Sequence, residues 1–105
     1  METTETLHDL DAAVRLRSAA YGEYAVARAA LEEAERNLHG AERAVLFDSG
    51  RDPVLSATLS GREAIARIGL EEARERLREA KRDLRRARQL SAPFTEKEFE
   101  IEHLD

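Results

Sequence analysis

Cysteine and tryptophan are both absent from the 105-residue chain. Without a thiol there is no disulfide framework, no thiolate metal site and no cysteine nucleophile. Proline occurs twice, glycine five times, and aromatic residues make up 5%, too few turn formers and rings for a sandwich or barrel of many short strands. No run approaches the roughly 18 consecutive apolar residues of a membrane span. The opening METTETLHDLD lacks the basic flank and apolar stretch of a signal peptide. These absences lead to the expectation of a cytoplasmic protein with no membrane partner. Positive charge is in deficit as well, 17 Lys and Arg against 22 Asp and Glu, for a net charge of −5. A generic polyanion binder needs a net positive face, so the balance argues against nucleic acid as the main partner.

What the chain does contain is helix-forming sequence with a heptad rhythm. Residues 47 to 55, FDSGRDPVL, gather Asp, Ser, Gly and Asp-Pro into one break. Before it, Leu10, Ala13, Arg17, Ala20, Tyr24, Ala27, Leu31, Ala34, Leu38, Ala41 and Val45 recur in steps of three and four. After it, Leu59, Glu63, Ala66, Leu70, Ala73, Leu77, Ala80, Leu84 and Ala87 do the same. The fold expected is all-α: a long antiparallel two-helix coiled-coil hairpin in a single domain, residues 1–105. Helix 1 is expected at about 7–47, the turn at 48–53, helix 2 at about 54–90 and a tail at 91–105.

Large and small residues alternate along both stripes, and one register makes them complementary. When facing positions have numbers that add to 104, Leu38 meets Ala66, Ala34 meets Leu70, Leu31 meets Ala73, Ala27 meets Leu77, Tyr24 meets Ala80 and Ala20 meets Leu84. Alanine leaves room for the opposite knob, so the helices can approach closely. Beside the seam the same register puts Glu42 near Arg67, Glu35 near Arg74 and Tyr21 near Arg88, together with a repulsive Arg28 and Lys81 pair.

The tail SAPFTEKEFEIEHLD begins with a proline that stops helix 2, and Thr95 with Glu98 reads as a capping box for a short helical turn. It either folds back, with Phe94 facing Leu10, or docks on a partner; fold-back closes only a short loop and is the nearer expectation.

A hairpin whose seam is half alanine has little core, and helix 1 is apolar on more than one face. Ala12, Leu16, Ala19, Val26 and Ala30 lie off the seam, Gly22 belongs to a further small-residue stripe, and Ile65 and Ile68 point outward from helix 2. These eight residues are the expected dimer face of a homodimer in which two hairpins make a four-helix bundle.

No catalytic constellation is visible. His8, His39 and His103 have no second His three or four residues away, and no phosphate-cradling glycine loop follows a strand. Neither enzyme activity nor a metal or cofactor is expected. The turn places Asp48, Arg51 and Asp52 at the hairpin end as candidate partner-binding residues. A long antiparallel hairpin with acidic residues at its tip resembles the coiled-coil domain of the Gre and DksA transcription factors. That resemblance implies entry into the RNA polymerase secondary channel, with Asp48 and Asp52 as the pair acting near the catalytic magnesium. The chain departs from it in lacking the Asn-Ala-Glu-Tyr run of the Gre tip and any zinc-ligating cysteine. The local alternative is that both carboxylates build the turn and cap helix 2.

Residues 70–90 carry seven Arg and one Lys against four Glu and one Asp. The seam and its flanks absorb most of them and leave Arg78, Arg82, Arg85 and Arg86 for a partner, the basis of a nucleic-acid alternative. The leading expectation is a non-catalytic interaction or assembly protein, an accessory, scaffold or regulatory protein of a bacterium or its phage, with itself and another protein as partners.

Overall fold

The structure, a computed structural model, describes residues 2–90, with side chains from position 10 onward. Among the described residues it is all-α: helix α1 spans Glu2–Leu46 and helix α2 spans Pro53–Leu90, packed extensively on each other with no strand. Helix α1 starts ahead of the expected position 7, and no proline or glycine occurs between residues 2 and 21 to interrupt it. The tail, with Phe94, Thr95, Glu98 and His103, lies outside the described residues, as does the side chain of His8.

Packing divides into two compact units, whose described residues are 2–26 with 78–90 and 27–77. In the first unit the buried residues are Ala13, Arg17, Ala20 and Tyr24 of α1 with Ala80, Leu84 and Ala87 of α2. Each is a seam position of the heptad pattern, so the period read from sequence is the period that buries side chains. In the second unit Ala27, Leu70 and Ala73 are buried, whereas Leu31, Leu38, Leu59, Ala66 and Leu77 are only half-buried. The second unit therefore covers its seam incompletely.

Alanine dominates both cores because an antiparallel pair of helices has room for one large residue per layer, and a methyl opposite it completes the layer. Ala27 is 0% exposed, which shows how closely the opposite wall approaches it. Arg17 is the exception, a charged residue 3% exposed among buried apolar neighbours. Its long aliphatic stem fills a seam position while burial of the guanidinium carries a desolvation cost.

Cross-helix contacts fix the register in each unit. Arg67 donates from Nη2 to Glu42 Oε2 across the second unit at 3.4 Å and is also bonded along α2 to Glu63. The hydrogen bond and charge of Glu63 hold the Arg67 guanidinium above its usual pKa, against an opposing effect of desolvation and with a lesser contribution from the charge of Glu42. In the first unit Arg88 Nη2 donates to Tyr21 Oη at 2.8 Å, with the guanidinium carbon 5.8 Å from the ring centroid. Both pairs have residue numbers that add to 109, the flanking register expected. The charge of Arg28 is met along its own helix, where Glu32 lies 3.9 Å away. Exposed ion pairs contribute only ~0 to 1 kcal/mol each, so they specify alignment more than they stabilise it.

Seam complementarity gives a direct test by urea unfolding. Leu84→Ala is expected to destabilise by about 2 to 5 kcal/mol through the cavity it leaves. Ala27→Leu is expected to cost about 1 to 3 kcal/mol by overpacking. Ala29→Leu, on the exposed face of the same helix, should stay within about 0.5 kcal/mol.

Candidate functional site

The turn is built by its own polar side chains. Helix α1 ends in a tightened turn, with Phe47 N–H donating to Arg43 O at 3.0 Å and Asp48 N–H to Val45 O at 3.2 Å. The Arg43 guanidinium lies over the Phe47 ring at 5.8 Å. Gly50 then takes φ +74°, a left-handed conformation that costs other residues a clash with their own Cβ. Asp52 is the N-cap of α2: its Oδ1 accepts from Val54 N–H at 3.0 Å and Leu55 N–H at 3.3 Å, and Pro53 occupies the first helical position.

Asp48 spans the turn. Its Oδ1 accepts from Gly50 N–H at 3.3 Å, and its Oδ2 accepts from the Ser56 hydroxyl of α2 at 2.5 Å. The two tip carboxylates thus accept bonds from their own loop and helix. Arg51 is exposed between them, its N–H donating to Ser49 Oγ at 3.4 Å. Among the described residues no group of three or more His, Asp or Glu is arranged to hold a metal ion.

The expected dimer-face residues stand mostly in the open. In the first unit Ala12, Ala19 and Gly22 are exposed and Leu16 is 42% exposed, as is Val26 at 52%. In the second unit Ala30 is half-buried while Ile65 and Ile68 are 70% and 58% exposed. Several of them border grooves between the helices. The first unit has one of about 360 Å³ between Leu16, Ala19 and Glu23 of α1 and Asp83, Arg86 and Leu90 of α2. The second has one of about 420 Å³ lined by Asn37, Gly40, Ala44, Leu59, Arg62 and Ile65. A neighbouring groove of about 310 Å³ is lined by Ala30, Glu33, Asn37, Gly69, Glu72 and Arg76. These last two share Asn37 and form one trough with small residues on both walls.

Arg78, Arg82, Arg85 and Arg86 are all exposed on α2 in the first unit. Glu79 and Asp83 fall between them, each three residues before an arginine, Arg82 and Arg86, close enough along a helix for opposite charges to meet. The basic stretch is thus interleaved with acid rather than gathered into one positive field. Helix α2 is a charged wall at this end, with Arg86 at the groove rim.

Glu23, Asn37, Gly40, Ala44, Gly69 and Leu90 are groove residues absent from the candidate set. For those on α1 a signal was present in the sequence: Ala12, Leu16, Ala19, Glu23, Val26, Ala30, Glu33, Asn37, Gly40 and Ala44 repeat every three or four residues. This second heptad stripe runs beside the seam. Its small and polar members weaken the hydrophobic contrast by which such a stripe is recognised.

No known family matches the chain, and no match is found among curated proteins or solved structures.

The turn chemistry separates side-chain roles at the tip. Asp52→Ala is expected to lower stability by about 0.5 to 2 kcal/mol, and Asp52→Asn, which keeps the accepting oxygen, by far less. Gly50→Ala is expected to cost about 1 kcal/mol because the left-handed conformation is retained. Urea midpoints of the three variants check the order.

Proposed function

We propose that this protein is a non-catalytic interaction and assembly module, a helical hairpin that associates with itself into a four-helix bundle and offers a further face to another protein. The supporting observation is that apolar side chains border helix-wide grooves while remaining exposed, Leu16 and Leu90 in the first unit and Ile65 in the second. A surface helix that serves only to cover its own hairpin keeps one apolar stripe. Here α1 carries two, one buried against α2 and one beside it.

In the first unit the groove has the chemistry of a helix-binding site. Leu16, Ala19, Ala20 and Ala87 supply apolar floor and walls, and Glu23, Asp83 and Arg86 supply charges of both signs at the rim. An amphipathic helix laid there would bury its apolar anchors and meet opposite charges at its edges. The same arrangement has no nucleophile beside a base and no convergent set of polar groups on a reacting atom, so it supports binding and no particular chemistry.

Leu16→Glu tests the reading. The residue is 42% exposed, so the change is expected to leave helix content intact and shift unfolding free energy by less than about 1 kcal/mol. Proteins captured from the source cells by the wild type should be lost from the variant. Equal capture by both, or none by the wild type together with a monomer at every concentration in sedimentation, would overturn the proposal.

A further inference from the structure

We infer that the trough of the second unit, residues 27–77, is where two copies of this chain meet, antiparallel, about a two-fold axis passing Asn37. This rests on the interaction-module reading and supplies the geometry of its self-association. The inference begins from incomplete burial. Within this unit Leu31, Leu38, Leu59 and Leu77 are seam residues left half-buried, and the trough is lined by Leu59 together with the half-buried seam alanines Ala34, Ala41 and Ala66. A second hairpin laid into the trough covers the side of the seam that α1 and α2 leave open, which removes apolar area from water without rearranging either helix.

The occupant is a second copy because the trough complements itself. On α1, Ala30, Ala34, Asn37, Gly40 and Ala44 are arranged nearly symmetrically about Asn37. Turned end for end on that residue, Ala30 faces Ala44 of the second copy and Ala34 faces Gly40. Small residues then meet small residues, and two α1 helices can approach as closely as the intrachain seam allows. Asn37 meets its own counterpart, and two amides can exchange hydrogen bonds across the axis.

Helix α2 passes the same test independently. The register fixed by the intrachain seam carries the axis onto α2 between Arg62 and Glu72. Arg62 then faces Glu72 of the second copy, and Ile65 faces Gly69. Arg62 and Glu72 are both exposed. Ile65 is 70% exposed, and nothing lies within 4 Å of where a side chain at Gly69 would begin. A knob stands on one copy at the level where the other has an open hole. Symmetry repeats each contact, giving two ion pairs and two isoleucines seated on glycines.

Charge reversal decides the matter, read by sedimentation equilibrium of the full chain. The wild type is expected to be a dimer. Arg62→Glu and Glu72→Arg should each weaken dimerisation at least about tenfold by setting like charges opposite each other twice. The chain carrying both reversals restores opposite charges and is expected to recover dimerisation. Gly69→Leu, which raises helix propensity and so cannot act by unfolding α2, should also dissociate the dimer. Oxidised Asn37→Cys should yield a covalent dimer, since the chain has no other thiol. A wild-type dimer indifferent to both single reversals, or a double reversal that fails to restore it, overturns this geometry and leaves the interaction reading standing. A wild type monomeric at every concentration overturns the dimer, while partner capture through Leu16 remains a separate question.

Discussion

The structure depends on one packing constraint: a large side chain on either helix must meet a methyl on the other. Leu84 and Tyr24 are buried in the first unit and Leu70 in the second, and alanines make up most of the remaining buried seam. Such layers bring helices close enough for the backbone of one to wall the side chains of the other, and they fix register because a slip sets Leu on Leu and Ala on Ala. The same constraint limits the core. Alanine buries little area, so closeness comes at the expense of hydrophobic stabilisation, and a hairpin of this kind gains by burying a further face.

The turn follows from the need to reverse direction without leaving helix ends unsatisfied. Asp52 meets the first N–H groups of α2, Gly50 supplies the left-handed residue, and Asp48 ties the loop to Ser56. Asp48 and Ser56 also lie in the 104 register, so the last tie of the turn and the first layers of the seam agree. A resemblance between acidic hairpin tips in different proteins can therefore arise from capping alone. Aspartate, with asparagine and serine, is among the side chains that cap α-helices best, and a reversal between two helices needs a cap.

The two helices and their relative register were legible because three independent signals agreed: the heptad period, the large and small complementarity, and two of the flanking pairs. Glu42 with Arg67 and Tyr21 with Arg88 lie where the sequence put them. Charge alone was less informative. Glu63 is both a seam position and the nearer partner of Arg67, so one side chain serves two roles that a stripe cannot distinguish. The grooves were only partly legible. Leu16 and Ile65 stood out as apolar residues off the seam, whereas Gly40, Ala44 and Gly69 did not, because a missing side chain carries no hydrophobic signal. What makes a groove is the absence of bulk on both walls, and that becomes apparent only when two helices are placed side by side.

Small residues also explain why further specification must come from elsewhere. A wall of alanine and glycine accepts any helix of the right curvature at many offsets, since sliding by one heptad exchanges one methyl for another. In the intrachain seam leucines break that degeneracy. In the trough of the second unit the breaking features are Arg62, Ile65, Asn37 and Glu72, the groups that stand up from an otherwise smooth surface. A polar residue on the axis and charges flanking it are the means by which coiled coils select one offset at some cost in affinity. In the proposed pairing of two copies the exposed charges would contribute little to the strength of association, and their positions would decide which single alignment satisfies all of them together.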